Sequence, residues 1–440
     1  MTTFKLICCA IVLTCAMGAE AIDVGAATCD ITPDVHKYKV PMAGYGARQG
    51  KPATGIHDRI HAKILVFIDG QRRMALVTTD LRSNTPEIKD QVVEKTKDLG
   101  FRRDNVMISA SHSHDGPSFF PEPFWQFQFG KYDPAIVPPM TDAIANAIKE
   151  AVKSAAPAKI GFGQKKVEGF THNRRWGYDT EARKKAGEKP AVNPVLSVLR
   201  VDDMNGKMKA LLVHFATHPT ILGADNMEIS AEWPGAMKDA LEATFPGIVA
   251  LYVNGAEGDQ SPAGAKGKDD FAKVKDFGTR LAAQAASLAK TIKAQSVPFM
   301  AYTWAKPELP HLEFSEAARK GPYRSLLPLA QDALPRSAEI QVFAIGDLAL
   351  VGLPGEPICD VGLATAAAAR KAGFDKVLVL GLTNDYIGYI VNKKEYAHGG
   401  YEVDERSYYG PGLGTFIAKE AGLAAAQVRE TEERISQQAN

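Results

Sequence analysis

The chain has 440 residues, of which 45% are hydrophobic and 23% charged, and its formal net charge is +1. This is ordinary globular composition with ample material for a large core. A near-neutral charge leaves no electrostatic footprint for DNA or RNA, and the early glycines form no phosphate-cradling fingerprint.

The first segment, M-T-T-F-K, carries one lysine and runs into L-I-C-C-A-I-V-L-T-C-A-M-G, which is apolar but too short to span a membrane. Small residues at A-E-A, Ala19 to Ala21, complete a signal-peptide pattern over residues 1–21. Residues 22–440 are then expected to form one domain of a secreted or periplasmic protein. Lipid anchoring at Cys15 is disfavoured, because Thr14 stands where a smaller Gly or Ala is usual. Cleavage leaves Cys29 and Cys359, either one disulfide or two free thiols. No later stretch has eighteen consecutive apolar residues, so no transmembrane segment is expected; the oligomeric state is not legible.

Strands are expected at A-K-I-L-V-F-I-D, M-A-L-V-T-T and N-V-M-I-S, then at V-L-S-V-L-R-V, A-L-L-V-H-F and I-V-A-L-Y-V-N, and last at I-Q-V-F-A-I, L-A-L-V-G-L and V-L-V-L-G-L. Several are apolar throughout rather than alternating, as strands covered on both faces are. Helices are expected from Pro139 to Lys153, from Trp233 to Phe245, around Leu281 to Ile292, from Val361, and over the last twenty-odd residues. This alternation predicts an α/β fold with a layered mixed β-sheet core and flanking helices.

Chemistry gathers where these strands end, the usual place for a site in an open α/β sheet. S-H-S-H-D-G-P carries His112 and His114, whose i, i+2 spacing projects both imidazoles to one face of an extended segment. H-F-A-T-H-P-T carries His214, inside a strand and read as a core histidine, and His218 at its exit. N-G-A-E-G-D-Q-S-P carries Asp259 and Ser261 in a Gly-rich turn, and V-G-L-P-G-E-P puts Glu356 at the tip of an apolar hairpin. T-H-N-R-R-W holds Arg174 and Arg175, and a glycine-punctuated loop from Tyr386 to Pro411 holds six tyrosines. Each has a plain alternative: turn formers, a solvated basic loop, packed aromatics. Together, two or three His with one Glu match a catalytic zinc site that keeps a position open for water. Zinc lowers the water's pKa and polarises a carbonyl, an imidazole serves as base, and Arg or Tyr holds an oxyanion.

The same segments, in this order, resemble the catalytic domain of the neutral/alkaline non-lysosomal ceramidases. G-A-A-T-C-D-I-T-P, M-A-G-Y-G and T-G-I-H-D-R-I-H-A-K are similar to that family's opening. S-H-S-H-D-G-P, F-A-T-H-P-T, G-D-Q-S-P, P-G-E-P and K-E-Y … Y-E … Y-G-P resemble its later segments. The resemblance implies zinc held by His112, His218, Glu356 and Tyr396. It makes His114 the general base, Arg174 (with Arg175 as rival) and Tyr409 (with Tyr408 as rival) the oxyanion support, and Ser261 a site residue near the substrate. It implies a zinc-dependent hydrolase of linear amide bonds acting on a small-molecule or lipid N-acyl substrate; peripheral membrane contact stays open.

The departures are specific. The chain ends soon after the tyrosine segment, without the family's immunoglobulin-like C-terminal domain. Asp115 replaces a serine, and P-T-I-L-G-A-D-N follows the histidine segment. These open two alternatives to ceramide hydrolysis: an esterase or deacylase for amino-sugar or amino-acid conjugates, and a catalytically silent binding protein of the same fold. The stretch F-F-P-E-P-F-W-Q-F-Q-F-G is either an apolar mouth for an acyl chain or a packed loop.

Overall fold

The computed structural model describes residues 21–131, 133–297, 299–321 and 324–439. The expected leader, with Cys8, Cys9 and Cys15, therefore lies outside the described residues except for Ala21.

Eight strands form one mixed sheet, in the order Val249–Asn254, Met208–Phe215, Val195–Asp203, Ala156–Lys166, Asp23–Asp30, His61–Asp69, Arg72–Thr79 and Val106–Ala110. The first pair and the last pair are parallel and the joints between them antiparallel. A second sheet runs Met300–Ala305, Ile340–Ile345, Leu348–Gly352 and Lys376–Leu380, its last pair parallel. The α/β expectation holds, with the strands divided between two sheets.

The two sheets pack against each other, with helices outside. Along His61–Asp69, Ile64 and Val66 share a core with Ile144 and Ile148 of helix Val137–Ser154. Leu65 and Phe67 share a different core with Phe343 and Leu350 of the smaller sheet. A strand sends successive side chains to opposite faces, so one helix-covered and one sheet-covered face together demand an apolar residue at every position. Trp233 and Met237 of helix Glu232–Thr244 and Phe277 and Leu281 of helix Asp270–Thr291 close the far end on Leu211 and Val213. Each such burial contributes roughly 1.5–3 kcal/mol. Helix Val137–Ser154 has proline in its first turn, where an N–H has no intrahelical partner anyway, and buries Met140, Ile144, Ile148 and Ala151 along one stripe.

Two local expectations resolve here. Pro123–Phe129 is a short helix that buries Phe124, Trp125 and Phe129 and leaves Phe127 63% exposed. Cys29 and Cys359 are free thiols, and burial pushes Cys29 up to about 12. No helix among the described residues is long and apolar enough to cross a membrane.

Candidate metal centre

Three strand exits are tied at one point by Asn254, the last residue of its strand. Its Nδ2 donates to Ser111 O at 3.0 Å and Thr217 O at 3.1 Å, just beyond Val106–Ala110 and Met208–Phe215. The smaller sheet joins through Asn384, whose Oδ1 accepts from Ile108 N at 2.9 Å and whose Nδ2 donates to Gln341 Oε1 at 2.7 Å. These amides bring His112, His218 and the segment around Glu356 together.

His112 adopts φ +74, in the left-handed region uncommon for non-glycine residues. Its N–H donates to Leu81 O at 2.9 Å, and its Nδ1 lies 2.8 Å from Arg82 O. A carbonyl only accepts, so that contact assigns the proton to Nδ1 and leaves the lone pair on Nε2. His218 is arranged likewise, with Nδ1 at 2.9 Å from Glu257 O and 3.0 Å from Gln260 O. Burial, with Arg174 next, pushes the His218 imidazolium down to about 3, so the ring is neutral.

Both Nε2 lone pairs face one oxygen. Glu356 Oε2 lies 3.2 Å from His112 Nε2 and 3.3 Å from His218 Nε2, all three side chains fully buried, and no group donates to it. Two lone pairs and a carboxylate oxygen at these separations repel unless a cation lies between them. For bonds of 2.0–2.1 Å, the edge of a tetrahedral zinc site is about 3.3–3.4 Å, so the donor set and its spacing fit zinc. Backbone carbonyls holding the far nitrogens are the outer support such ligands take. His114 completes a three-imidazole group, its Nε2 3.2 Å from that of His112. Burial, with His112 and His218 adding to it, holds the His114 imidazolium well below its ordinary value. Gly44, at φ +97, lies so close that a Cβ there would meet the His114 ring at 2.5 Å.

The tertiary structure places Glu356 differently from a hairpin tip. It opens a two-residue strand, Glu356–Pro357, parallel to Tyr389–Ile390 with Glu356 opposite Tyr389. That register brings in Tyr389, whose hydroxyl stands 3.3 Å from His218 Nε2 and accepts from Arg174 Nη2 at 2.8 Å. Tyr396 lies elsewhere, its nearest polar contact the Glu313 carbonyl at 3.5 Å in an exposed setting. Tyr409 also points away, donating to Pro335 O at 2.7 Å, while Tyr408 packs its ring against Phe124 and Trp125. The tyrosines beside Arg174 are Tyr389 and Tyr401.

Arg174 donates through Nε to Glu402 at 2.7 Å and through Nη2 also to Gly258 O at 3.0 Å. Arg175 faces away into a buried network with Glu395 and Glu402. Ser261 sits in a short strand opposite His172, half-buried, and takes no part in the cluster. Asp259 braces its turn by accepting from Cys359 N at 2.8 Å and Asn173 Nδ2 at 2.7 Å. His214 is a core residue bonded through Nε2 to Val379 O at 2.9 Å. Asp115 accepts from Arg48 at 2.6 Å and Asn226 at 2.9 Å, and Arg48 in turn holds the His114 carbonyl, so Asp115 braces the histidine loop.

Four further residues join the centre. Arg82 donates to Tyr386 at 2.6 Å and to Glu356 Oε1 at 3.3 Å, and Tyr386 itself donates to Glu356 Oε1 at 2.7 Å. Glu257 offers a carboxyl atom within 4.8 Å of ligand atoms of His112 and Glu356, with both oxygens unpartnered. Burial, with Glu356 next, pushes that carboxyl well above the carboxylate range. Asn254 is the fourth, and its strand-end position was the one available signal.

Fold and site together define an α/β protein with two face-to-face sheets, whose strand exits build a buried imidazole–carboxylate centre suited to a divalent metal. A model of the neutral/alkaline non-lysosomal ceramidase N-terminal region matches residues 22–296. Neutral ceramidase A of Dictyostelium discoideum is 30% identical over 50% of this chain and 33% of its own, so the match spans about a third of that relative. The neutral ceramidase of Pseudomonas aeruginosa is 24% identical over 91% of this chain and 72% of its own. Its crystal structure superposes with a TM-score of 0.82, at 23% identity, over 94% of this chain and 75% of that one. The chain belongs to the neutral/alkaline non-lysosomal ceramidase family.

Proposed function

We propose that the chain is a secreted, zinc-dependent amidohydrolase that cleaves an N-acyl carboxamide bond, with residues 22–440 as the catalytic unit. The observation that carries this reading is the convergence of the His112 and His218 lone pairs on Glu356 Oε2 in a chain of this family. Its relatives are named neutral ceramidases, which supports an amide carbonyl as the reacting group.

His112, His218 and Glu356 would hold the metal, and Tyr389 takes the place expected of Tyr396. When bound there, zinc supplies Lewis acidity to the carbonyl and acidifies a water molecule. His114 is the proton carrier: its neutral ring lies against His112, its Nδ1 has no partner, and Tyr45 packs edge-on at 4.8 Å. It takes a proton from the attacking water and returns it to the leaving amine. Arg174 steadies the Tyr389 hydroxyl; its Nη1, without a protein partner among the described residues, and the neighbouring Tyr401 are placed to meet an oxyanion.

Elemental analysis of the purified protein tests the centre, with about one zinc per chain expected and His112→Ala plus His218→Ala abolishing it. A fluorogenic panel of N-acyl and O-acyl compounds tests the bond, and turnover of esters alone refutes the amide reading.

A further inference from the structure

Two arginines next to the metal centre lack a carboxylate of their own. Arg82 is 5% exposed and Arg406 7%, and both guanidinium groups face the Phe129 ring, at 4.6 and 6.0 Å from its centre. Arg82 is further sandwiched by Tyr386 at 4.4 Å, and its Nε and Nη1 are buried without any partner. Its one anionic contact, Glu356 Oε1 at 3.3 Å, belongs to a carboxylate whose other oxygen faces the two imidazoles. Arg406 has only phenols and ring faces, donating through Nε to Tyr401 OH at 3.1 Å with the Tyr408 hydroxyl beside it. No carboxylate among the described residues lies within ion-pair distance of it. The other arginines of the region are matched: Arg174 by Glu402, Arg175 by Glu395 and Glu402, Arg183 by Glu395 and Glu188.

Buried guanidinium groups are ordinarily paired, because an unmatched charge in an apolar setting is costly. Arg82 thus shares its one carboxylate, Glu356, with the two imidazoles, and Arg406 has none, so two incompletely matched cations lie around the Phe129 ring. A mostly apolar cavity of about 200 Å³ is lined by Phe124, Tyr408, Phe314 and Leu327, with Asp404 and Glu405 also on its wall; Phe124 and Tyr408 connect to the Phe129 ring through Trp125.

We infer that this site takes an N-acyl amide bearing a carboxylate, an N-acyl amino acid rather than a neutral N-acyl amino alcohol, with Arg82 and Arg406 receiving the carboxylate. The inference rests on the amidohydrolase reading above and narrows its substrate class. Arg82 and Arg406 act as specificity residues, since guanidinium is the group suited to buried carboxylate recognition.

The test uses the zinc-loaded full chain carrying His114→Ala, titrated calorimetrically with N-lauroylglycine and its neutral counterpart N-lauroylethanolamine. The carboxylate probe is expected to bind about 10- to 100-fold tighter, the order of one or two hydrogen bonds to a charged group. Arg82→Leu and Arg406→Leu, each added to that protein, are expected to remove most of this ratio, with Arg82→Lys keeping part of it. Equal binding of the two probes overturns the inference. So does a pair of leucine variants that melt earlier or lose zinc yet keep the ratio, for then the arginines only support the fold. Wild-type turnover separates the two claims. Hydrolysis of neutral amides with no preference for the carboxylate overturns this inference and leaves the amidohydrolase reading standing. Selective binding of the carboxylate with no amide hydrolysis does the reverse.

Discussion

Replacing Tyr389 by phenylalanine removes one oxygen from the centre and leaves the ring that stacks on His218, 6.5 Å away at 8°. Arg174 Nη2 loses its partner at 2.8 Å and keeps Gly258 O at 3.0 Å, so one hydrogen bond to a charged group disappears from a fully buried setting. Such a loss costs roughly 1.5–3 kcal/mol. Because the same hydroxyl stands 3.3 Å from Nε2 of His218, a proposed ligand, zinc affinity should fall as well, by about 10- to 100-fold, the usual effect of disturbing a metal site's support. Tyr396→Phe is the matched control. Its hydroxyl contact is 3.5 Å long and exposed, and its removal should change stability by no more than about 0.5 kcal/mol. Competition of each apoprotein with a chromophoric zinc chelator gives the affinities, and thermal melts with and without zinc give the stabilities. The reasoning fails if Tyr396→Phe weakens zinc as much as Tyr389→Phe does, or if Tyr389→Phe binds zinc like the wild type.

Three further outcomes are expected. Gly44→Ala forces a Cβ to 2.5 Å from the His114 ring at φ +97, so stability should drop by about 1–3 kcal/mol and turnover more steeply than zinc content; unchanged turnover counts against His114 as proton carrier. Glu395 is pushed up by burial, but hydrogen bonds from Arg183 and Arg175 outweigh this and bring it down to about 2 from 4.5. The folded protein therefore binds fewer protons than the unfolded chain between those values, and stability is lost as pH falls from about 4.5 towards 2. Urea unfolding across that range should show this slope flattened in Glu395→Gln, and an unaltered slope removes the assignment. Last, Asn254→Ala deletes the amide that joins Ser111 O to Thr217 O. Leaving two buried carbonyls without that donor should cost about 2–4 kcal/mol and weaken zinc binding, read by melting and chelator competition.

Much of the site could be read along the chain because the proposed ligands leave regular elements. His112 follows N-V-M-I-S-A-S and His218 follows L-L-V-H-F-A-T, and apolar runs ending in polar residues mark strand exits without any tertiary knowledge. His214 was separable from His218 on the same ground, being inside its strand. The tyrosine loop offered no such marker. Six phenols among glycines have no period, and choosing among them by likeness selected Tyr396 and Tyr409, where the fold presents Tyr389 and Tyr401. Arg82, Glu257 and Arg406 stayed invisible because nothing in a local stretch says that a charged side chain will be buried.

By itself, then, the sequence determined the α/β class, the run of strands apolar on both faces and the two histidine exits, since each depends on spacing within a few residues. The tertiary structure alone decided that the strands split into two facing sheets and that Glu356 pairs with Tyr389. It alone decided that Arg82 and Arg406 meet at one aromatic ring. The physical reason is that register between distant segments, and the charge balance of a buried cluster, are set by which surfaces pack together, and no local pattern encodes that.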